Sequence, residues 1–325
     1  MSIPRVPALY KASAPGSLML LGEHAVLHDK QAMVLAVDRR IHVTLSPRQD
    51  KLIMIRSAVG NLECPLATLH VQKPFDFVIT SILLFKPLLK QGFELEIVSD
   101  FSDKIGLGSS AAVSVAVLAV FYQWLGAPLA HPLVSQEPLA QWLFQQALQV
   151  IRCVQGFGSG ADAAASVFGG VLLYQPSGPY PLKRFSETLP ITVIYSGAKT
   201  PTAVVVAQVE ALRARYPSVI ATLYETMDAI VRQASLALDA GNDVDLGALM
   251  NMQNACLTAL GVNNAALEAI IGYLRQQPGI QGAKISGSGL GDCVIALGNC
   301  TTADLTRMPG IKMDVSVSPQ GVCYG

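Results

Sequence analysis

Lys104-Ile-Gly-Leu-Gly-Ser-Ser-Ala-Ala112 stands between a strand-like run that ends near Val98 and an alanine- and valine-rich stretch over residues 109–125. Its two closely spaced glycines let a ligand approach the backbone, and the start of a helix leaves its first N–H groups without internal partners. Such a turn aims several donors and the positive end of the helix at whatever fills it, so it reads as an anion site. The bare alternative is an ordinary helix start with Ser109 as the cap. The loop is neither G-x-x-x-x-G-K-[ST], which occurs nowhere in the chain, nor a G-x-G-x-x-G dinucleotide fingerprint.

Working outward, the residues before the loop alternate strand-like runs with glycine punctuation. These runs cover 17–21, 31–45 (with Ile41, Val43 and Leu45 in alternation), 51–55 and 93–98, and a helical spacing lies over 75–91. The stretch 109–125 is apolar nearly all round and is ended by Gly126 and Pro128, which predicts a buried helix. A third helix is predicted over 138–154, then a glycine-rich turn at 156–160 and a strand over 170–174. After Ser177-Gly-Pro-Tyr-Pro-Leu182 comes a strand over 191–196, and the pattern then turns helical over 202–216, 217–240, 245–260 and 264–277. The chain closes with strands over 282–286, 293–297 and 312–318. This order predicts an α+β fold with a lobe boundary near residue 185, hence units 1–185 and 186–325.

Composition narrows the function classes. At 325 residues and 51% hydrophobic content the chain can bury one large core or two smaller ones. Its 23 basic and 23 acidic residues balance, with no basic run to track a phosphate backbone or an anionic membrane, so neither partner is expected. The six cysteines form no C-x-x-C pair and do not cluster with histidines, which predicts reduced thiols rather than a zinc site or disulfides. The start Met1-Ser-Ile-Pro-Arg-Val-Pro lacks the pattern of a secretory signal, and the most apolar stretch, 111–121, is shorter than the roughly 18 residues that span a bilayer. The ending Val322-Cys-Tyr-Gly325 is not a peroxisomal address, and the cytoplasm is the default location.

Three further motifs accompany the loop: Ala14-Pro-Gly-Ser-Leu-Met-Leu-Leu-Gly-Glu-His-Ala-Val-Leu-His28, Gly156-Phe-Gly-Ser-Gly-Ala-Asp162, and Lys284-Ile-Ser-Gly-Ser-Gly-Leu-Gly-Asp292. In order and spacing they resemble the galactokinase, homoserine, mevalonate and phosphomevalonate (GHMP) kinase superfamily. Within it, Gly22-Glu-His24 and Leu260-Gly-Val-Asn-Asn-Ala-Ala-Leu-Glu268 resemble the mevalonate kinases, whereas Ala36-Val-Asp-Arg-Arg-Ile41 resembles the matching strand of some phosphomevalonate kinases. The resemblance implies a two-lobed fold with an N-terminal lobe like ribosomal protein S5 and a helix-rich α/β sandwich as the C-terminal lobe. It implies ATP and Mg²⁺ as cofactors, mevalonate as substrate, transfer of the γ-phosphate to its C5 hydroxyl, and a monomer or homodimer.

Site residues follow from the same resemblance. Lys104, Gly106, Leu107, Gly108, Ser109 and Ser110 are expected to wrap the triphosphate, Ser99 to contact the nucleotide, and the Ser110 hydroxyl to ligate Mg²⁺. Asp162 matches the catalytic aspartate and would take the hydroxyl proton or orient the substrate; its plainer role is to cap the helix that follows. Glu23, His24, Ser159, Asp162, Lys199 and Thr202 are the expected substrate contacts, with His24 bonded to backbone at a turn as the plainer alternative.

Two departures open a competing hypothesis. The superfamily's lysine after Ala-Pro-Gly is Ser17 here, and its magnesium-binding glutamate is Ile151, which offers no oxygen to a hard cation. Lys11, Lys104 and Lys199 are the candidate replacement charges. A non-catalytic relative that binds a metabolite or nucleotide would tolerate both losses.

Overall fold

The computed structural model describes residues 9–102, 105–126, 139–179, 181–186, 188–300 and 309–325. Its elements in chain order are β1 (Tyr10–Leu21), β2 (Ala32–Pro47), β3 (Leu52–Ser57), β4 (Gly60–Pro65), α1 (Asp76–Leu83), β5 (Phe93–Ser99), α2 (Ser109–Leu125), α3 (Leu139–Gln155), α4 (Ala161–Phe168), β6 (Val171–Tyr174), β7 (Lys183–Phe185), β8 (Ile191–Tyr195), α5 (Thr202–Arg215), α6 (Pro217–Asp239), α7 (Asp243–Ala259), α8 (Ala265–Arg275), β9 (Gly282–Ser286), β10 (Cys293–Leu297), β11 (Ile311–Met313) and β12 (Cys323–Tyr324). The fold is α+β, as the run order predicts. Among the described residues no helix is long and apolar enough to cross a membrane.

The first sheet has the order β12-β1-β2-β5-β3-β4, with β6 and β7 joined to it through β2. Strand β2 is its spine, because Ala32–Leu35 pairs with β6 while Ile41–Pro47 pairs with β5. The first six residues of β2 are buried, and thereafter exposure alternates, the pattern of a strand covered on both faces at one end only. Against this sheet lies α2, apolar all round, with Ala111, Ala112, Ala116 and Ala119 buried so that its backbone approaches β1 and β2 closely. Its predicted bounds and its burial are both found. The helix predicted over 75–91 is shorter: α1 stops at Leu83, and a 3-10 turn over Lys86–Leu88 carries Pro87.

The second sheet, β11-β8-β10-β9, is antiparallel throughout. Its edge strand β9 does not leave its N–H groups bare, since Asn251 and Asn254 of α7 accept from Ala283 and Ile285 at 3.1 and 3.2 Å. In the Leu260–Glu268 motif, Asn264 caps α8 by accepting the Leu267 N–H, and the Val262 carbonyl accepts the Leu290 N–H at 2.7 Å. That motif therefore sets the position of the last glycine loop.

The final residues do not stay with the second sheet. β12 pairs with β1, Val317 bridges Val37, and Arg40 donates to the Gly321 carbonyl at 2.6 Å. Asp38 accepts from Ser316, and Arg39 pairs with Asp314. The Ala36–Ile41 stretch that resembles phosphomevalonate kinases thus fastens the returning tail. The strand predicted over 312–318 is shorter, β11, followed by this crossing.

Candidate active site

The bulge of β1 starts the site. Pairing between β1 and β2 slips between Pro15 and Ser17, and at that break the Ser17 N–H donates to the Leu107 carbonyl at 3.0 Å. A side chain on Gly16 would strike that carbonyl. The loop before α2 is therefore docked on β1 by backbone, with Leu107 itself fully buried.

The helix start differs from the capped alternative. Gly108 rather than Ser109 is the N-cap, in the left-handed region at φ 64°, and no side chain caps the N–H groups above it. A Cβ on Gly108 would meet the Ser17 hydroxyl, and one on Gly106 would meet the Asp292 carboxylate. Gly106 is therefore required by close approach, and Gly108 by close approach and by conformation.

Asp162 stands in the first turn of α4 behind Gly160, whose φ of 94° brings the chain round under Tyr174. The Ser17 hydroxyl donates to Asp162 Oδ1 at 2.8 Å. The half-buried Asp162 carboxyl is pushed above the usual carboxylate range by desolvation, and the Ser17 bond and the charge of Lys199 pull it part of the way back. Gly108 and Asp162 are thus one serine side chain apart. Gly106, Gly108, Ser109, Ser110 and Asp162 line one cleft.

Other predicted residues join them there. Glu23, His24 and Ser159 line the same cleft, as do Lys199 and Thr202 on its exposed side, where α5 begins. The buried Glu23 carboxylate is already engaged: it pairs with the fully buried Lys284 and accepts from Gln253 at 3.3 Å. Burial pushes the Glu23 carboxyl up and the Lys284 ammonium down, while each charge favours the other. His24 takes its plainer role as well, its Nε2–H donating to the Ser288 carbonyl at 2.9 Å from a backbone at φ 61°. Burial lowers its pKa and that bond opposes the shift. Glu23 therefore ties the turn after β1 to β9, and His24 ties it to the last glycine loop.

Ser99 is not brought to the cleft; it is exposed at the end of β5, where its hydroxyl donates to the Phe101 carbonyl at 2.7 Å. Lys104 lies outside the described residues. Of the candidate replacement charges, exposed Lys11 is on β1 away from the cleft, whereas Lys199 acts electrostatically on both Asp162 and Asp292. Ile151 lines the cleft and is buried, so that wall is apolar.

Asp292, the acidic residue that ends the third glycine motif and to which the sequence assigns no role, also belongs to the cleft. It lines the cleft, is 6% exposed, and holds a left-handed backbone at φ 69°. The signal was one acidic residue closing a glycine run. Arg39 and Arg40, in contrast, do not reach the cleft.

The oxygens present, the Ser110 hydroxyl and the carboxylates of Asp162 and Asp292, are of the kind that a hard cation such as Mg²⁺ prefers, and the unpartnered buried Asp292 Oδ1 fits that use. Among the described residues there is no cluster of three or more His, Cys, Asp or Glu side chains placed for a metal.

The chain matches the family models described as GHMP kinases N terminal domain, over residues 76–170, and GHMP kinases C terminal, over 234–305. It is 35% identical to a mevalonate kinase of Archaeoglobus fulgidus, with 88% of this chain and 91% of that one covered. It is 32% identical to a mevalonate kinase of Pyrococcus furiosus, covering 88% of each. Among solved structures, the mevalonate kinase of L. major in complex with R-mevalonate superposes with a TM-score of 0.76 at 23% identity, over 99% of this chain and 100% of that one.

Proposed function

The chain belongs to the GHMP kinase family, and on that footing we propose that it transfers the γ-phosphate of ATP to the C5 hydroxyl of mevalonate. The observation that carries the reading is the shared cleft: a glycine cradle open to a phosphate lies one serine away from an ionisable carboxylate. The curated relatives, mevalonate kinases at 32–35% identity over most of the chain, favour that substrate over phosphomevalonate.

In this reading the Gly106–Ser110 backbone holds the β- and γ-phosphates at the helix start, where the N–H groups and the dipole favour negative charge. Asp162 accepts the C5 hydroxyl proton as that oxygen bonds to the γ-phosphorus and the bond to the bridging β–γ oxygen breaks. Ser17 fixes the Asp162 carboxylate without adding charge, so the base keeps its raised affinity for a proton. Lys199 supplies positive charge from the exposed side of the cleft. Ser159, Lys199 and Thr202 border the acceptor, His24 holds the last glycine loop, and Glu23 holds the strand β9 before it. Mg²⁺, when bound, neutralises charge on the phosphates; Ser110 and Asp162 are its candidate protein contacts. We take residues 1–185 and 186–325 as the two lobes, with the tail returning to the first, and the cytoplasm as the location.

The test is ADP release in the presence of mevalonate, phosphomevalonate, homoserine or galactose. Mevalonate alone should give sustained release. Binding of ATP and mevalonate with no ADP formed would favour the non-catalytic relative, and release with another acceptor would reassign the substrate. Ser110→Ala should raise the magnesium concentration needed for half-maximal turnover by about 10-fold or more, since altering even an outer contact of a metal typically costs about 10–100-fold in affinity. An unaltered magnesium titration would remove Ser110 from the metal.

A further inference from the structure

The mechanism above leaves one buried charge unused. Asp292 closes the last glycine loop, held from both sides of its backbone: its N–H donates to the Ala198 carbonyl at 2.7 Å, and its carbonyl accepts from Ser196 at 2.8 Å. Its carboxylate accepts the Gly106 N–H, yet Oδ1 is buried with no hydrogen-bond partner. A buried carboxylate oxygen without a donor is costly unless something positive completes it. The surroundings sharpen the point, because the second carboxylate of the cleft, Asp162, repels it, and Lys199 is the only described residue that acts on both with positive charge.

A phosphate in the cradle would add negative charge beside Gly106, the residue whose N–H Asp292 already holds. Two carboxylates and a triphosphate are compatible in one cleft only if a cation lies among them. The wall where the superfamily's glutamate would stand is Ile151, so the hard-oxygen donor must come from elsewhere. Asp292 reaches the same cleft from the loop between β9 and β10 of the second sheet.

We propose that Asp292 is a magnesium ligand of this chain, its Oδ1 meeting the nucleotide-bound cation and taking the place of the oxygen donor lost at Ile151. This assignment rests on the ATP-binding reading of the cleft. It places metal capture on the loop that His24 and Val262 hold in position, next to the strand β9 that Glu23 holds, so the cation joins the two sheets across the nucleotide.

The test is equilibrium binding of ATP to the full chain without acceptor, once with Mg²⁺ and once with EDTA. Asp292→Asn keeps the shape and tolerates the positive φ; Asp292→Gly removes the carboxylate and suits that φ better, so a variant that folds is secured. In both variants the gain in ATP affinity on adding magnesium should shrink by about 10-fold or more, while affinity in EDTA stays equal or rises because a negative charge has gone. An undiminished magnesium gain in both variants would overturn the assignment. So would an equal loss of affinity with and without magnesium, which would make Asp292 a shaping residue of the cradle. A wild-type chain that binds no ATP under either condition would sink the nucleotide reading itself.

Discussion

Asp162→Asn is expected to lose about 10²–10⁴-fold in kcat while its affinity for ATP stays that of the wild type. The reason is geometric. Asn keeps an oxygen for the Ser17 hydroxyl, which now donates to Asp162 Oδ1 at 2.8 Å, so the helix start and the cradle beside it stay in place. What is lost is the ability to take a proton. The pH profile separates this from a packing defect: desolvation holds the Asp162 carboxyl above the ordinary carboxylate range, with Ser17 and Lys199 opposing. A base must be unprotonated to act, so wild-type turnover should fall as pH drops through that raised value, and the residual turnover of the variant should lack that limb. A variant within a few-fold of the wild type in kcat would remove Asp162 from the reaction.

The second large effect concerns stability. Lys284→Met should destabilise the chain by about 3–5 kcal/mol, because it leaves the Glu23 carboxylate buried without its partner. Lys284 is fully buried and Glu23 nearly so, and Lys284 also donates to the Ile285 carbonyl. Gln253, bonded to the other Glu23 oxygen at 3.3 Å, cannot neutralise the charge. The double change Lys284→Met with Glu23→Leu should recover much of the loss, since apolar replacement of a whole buried pair is close to neutral. Urea midpoints of the wild type, the single and the double variant check this; a single variant as stable as the wild type would contradict it.

What was legible in the sequence was local. Helix α2 could be read to the residue because Gly108 and Gly126 end an apolar stretch that is continuous. Strand β4 was missed because Gly60–Pro65 shows no strong apolar alternation; it is an edge strand with half its residues exposed. The return of the tail to β1 was missed because Val315–Tyr324 is broken by Pro319 and Gly321, and its partners lie some 280 positions earlier. At the site, the glycine cradle and Asp162 could be found because each carries its own spacing. The Ser17–Asp162 bond and the Glu23–Lys284 pair are 145 and 261 positions apart, and no local pattern couples them. Lys284 did leave a trace, a charge inside the otherwise uncharged strand β9.

Transfer requires the cradle and Asp162 to hold a phosphate and an alcohol in line across one cleft. Phosphorus NMR of the full chain incubated with ATP, Mg²⁺ and mevalonate tests that most directly. The expected spectrum gains one phosphomonoester resonance, split into a triplet by the C5 methylene protons, in step with ADP. No new ester while ATP and mevalonate are both bound, or an ester without that splitting, would contradict it.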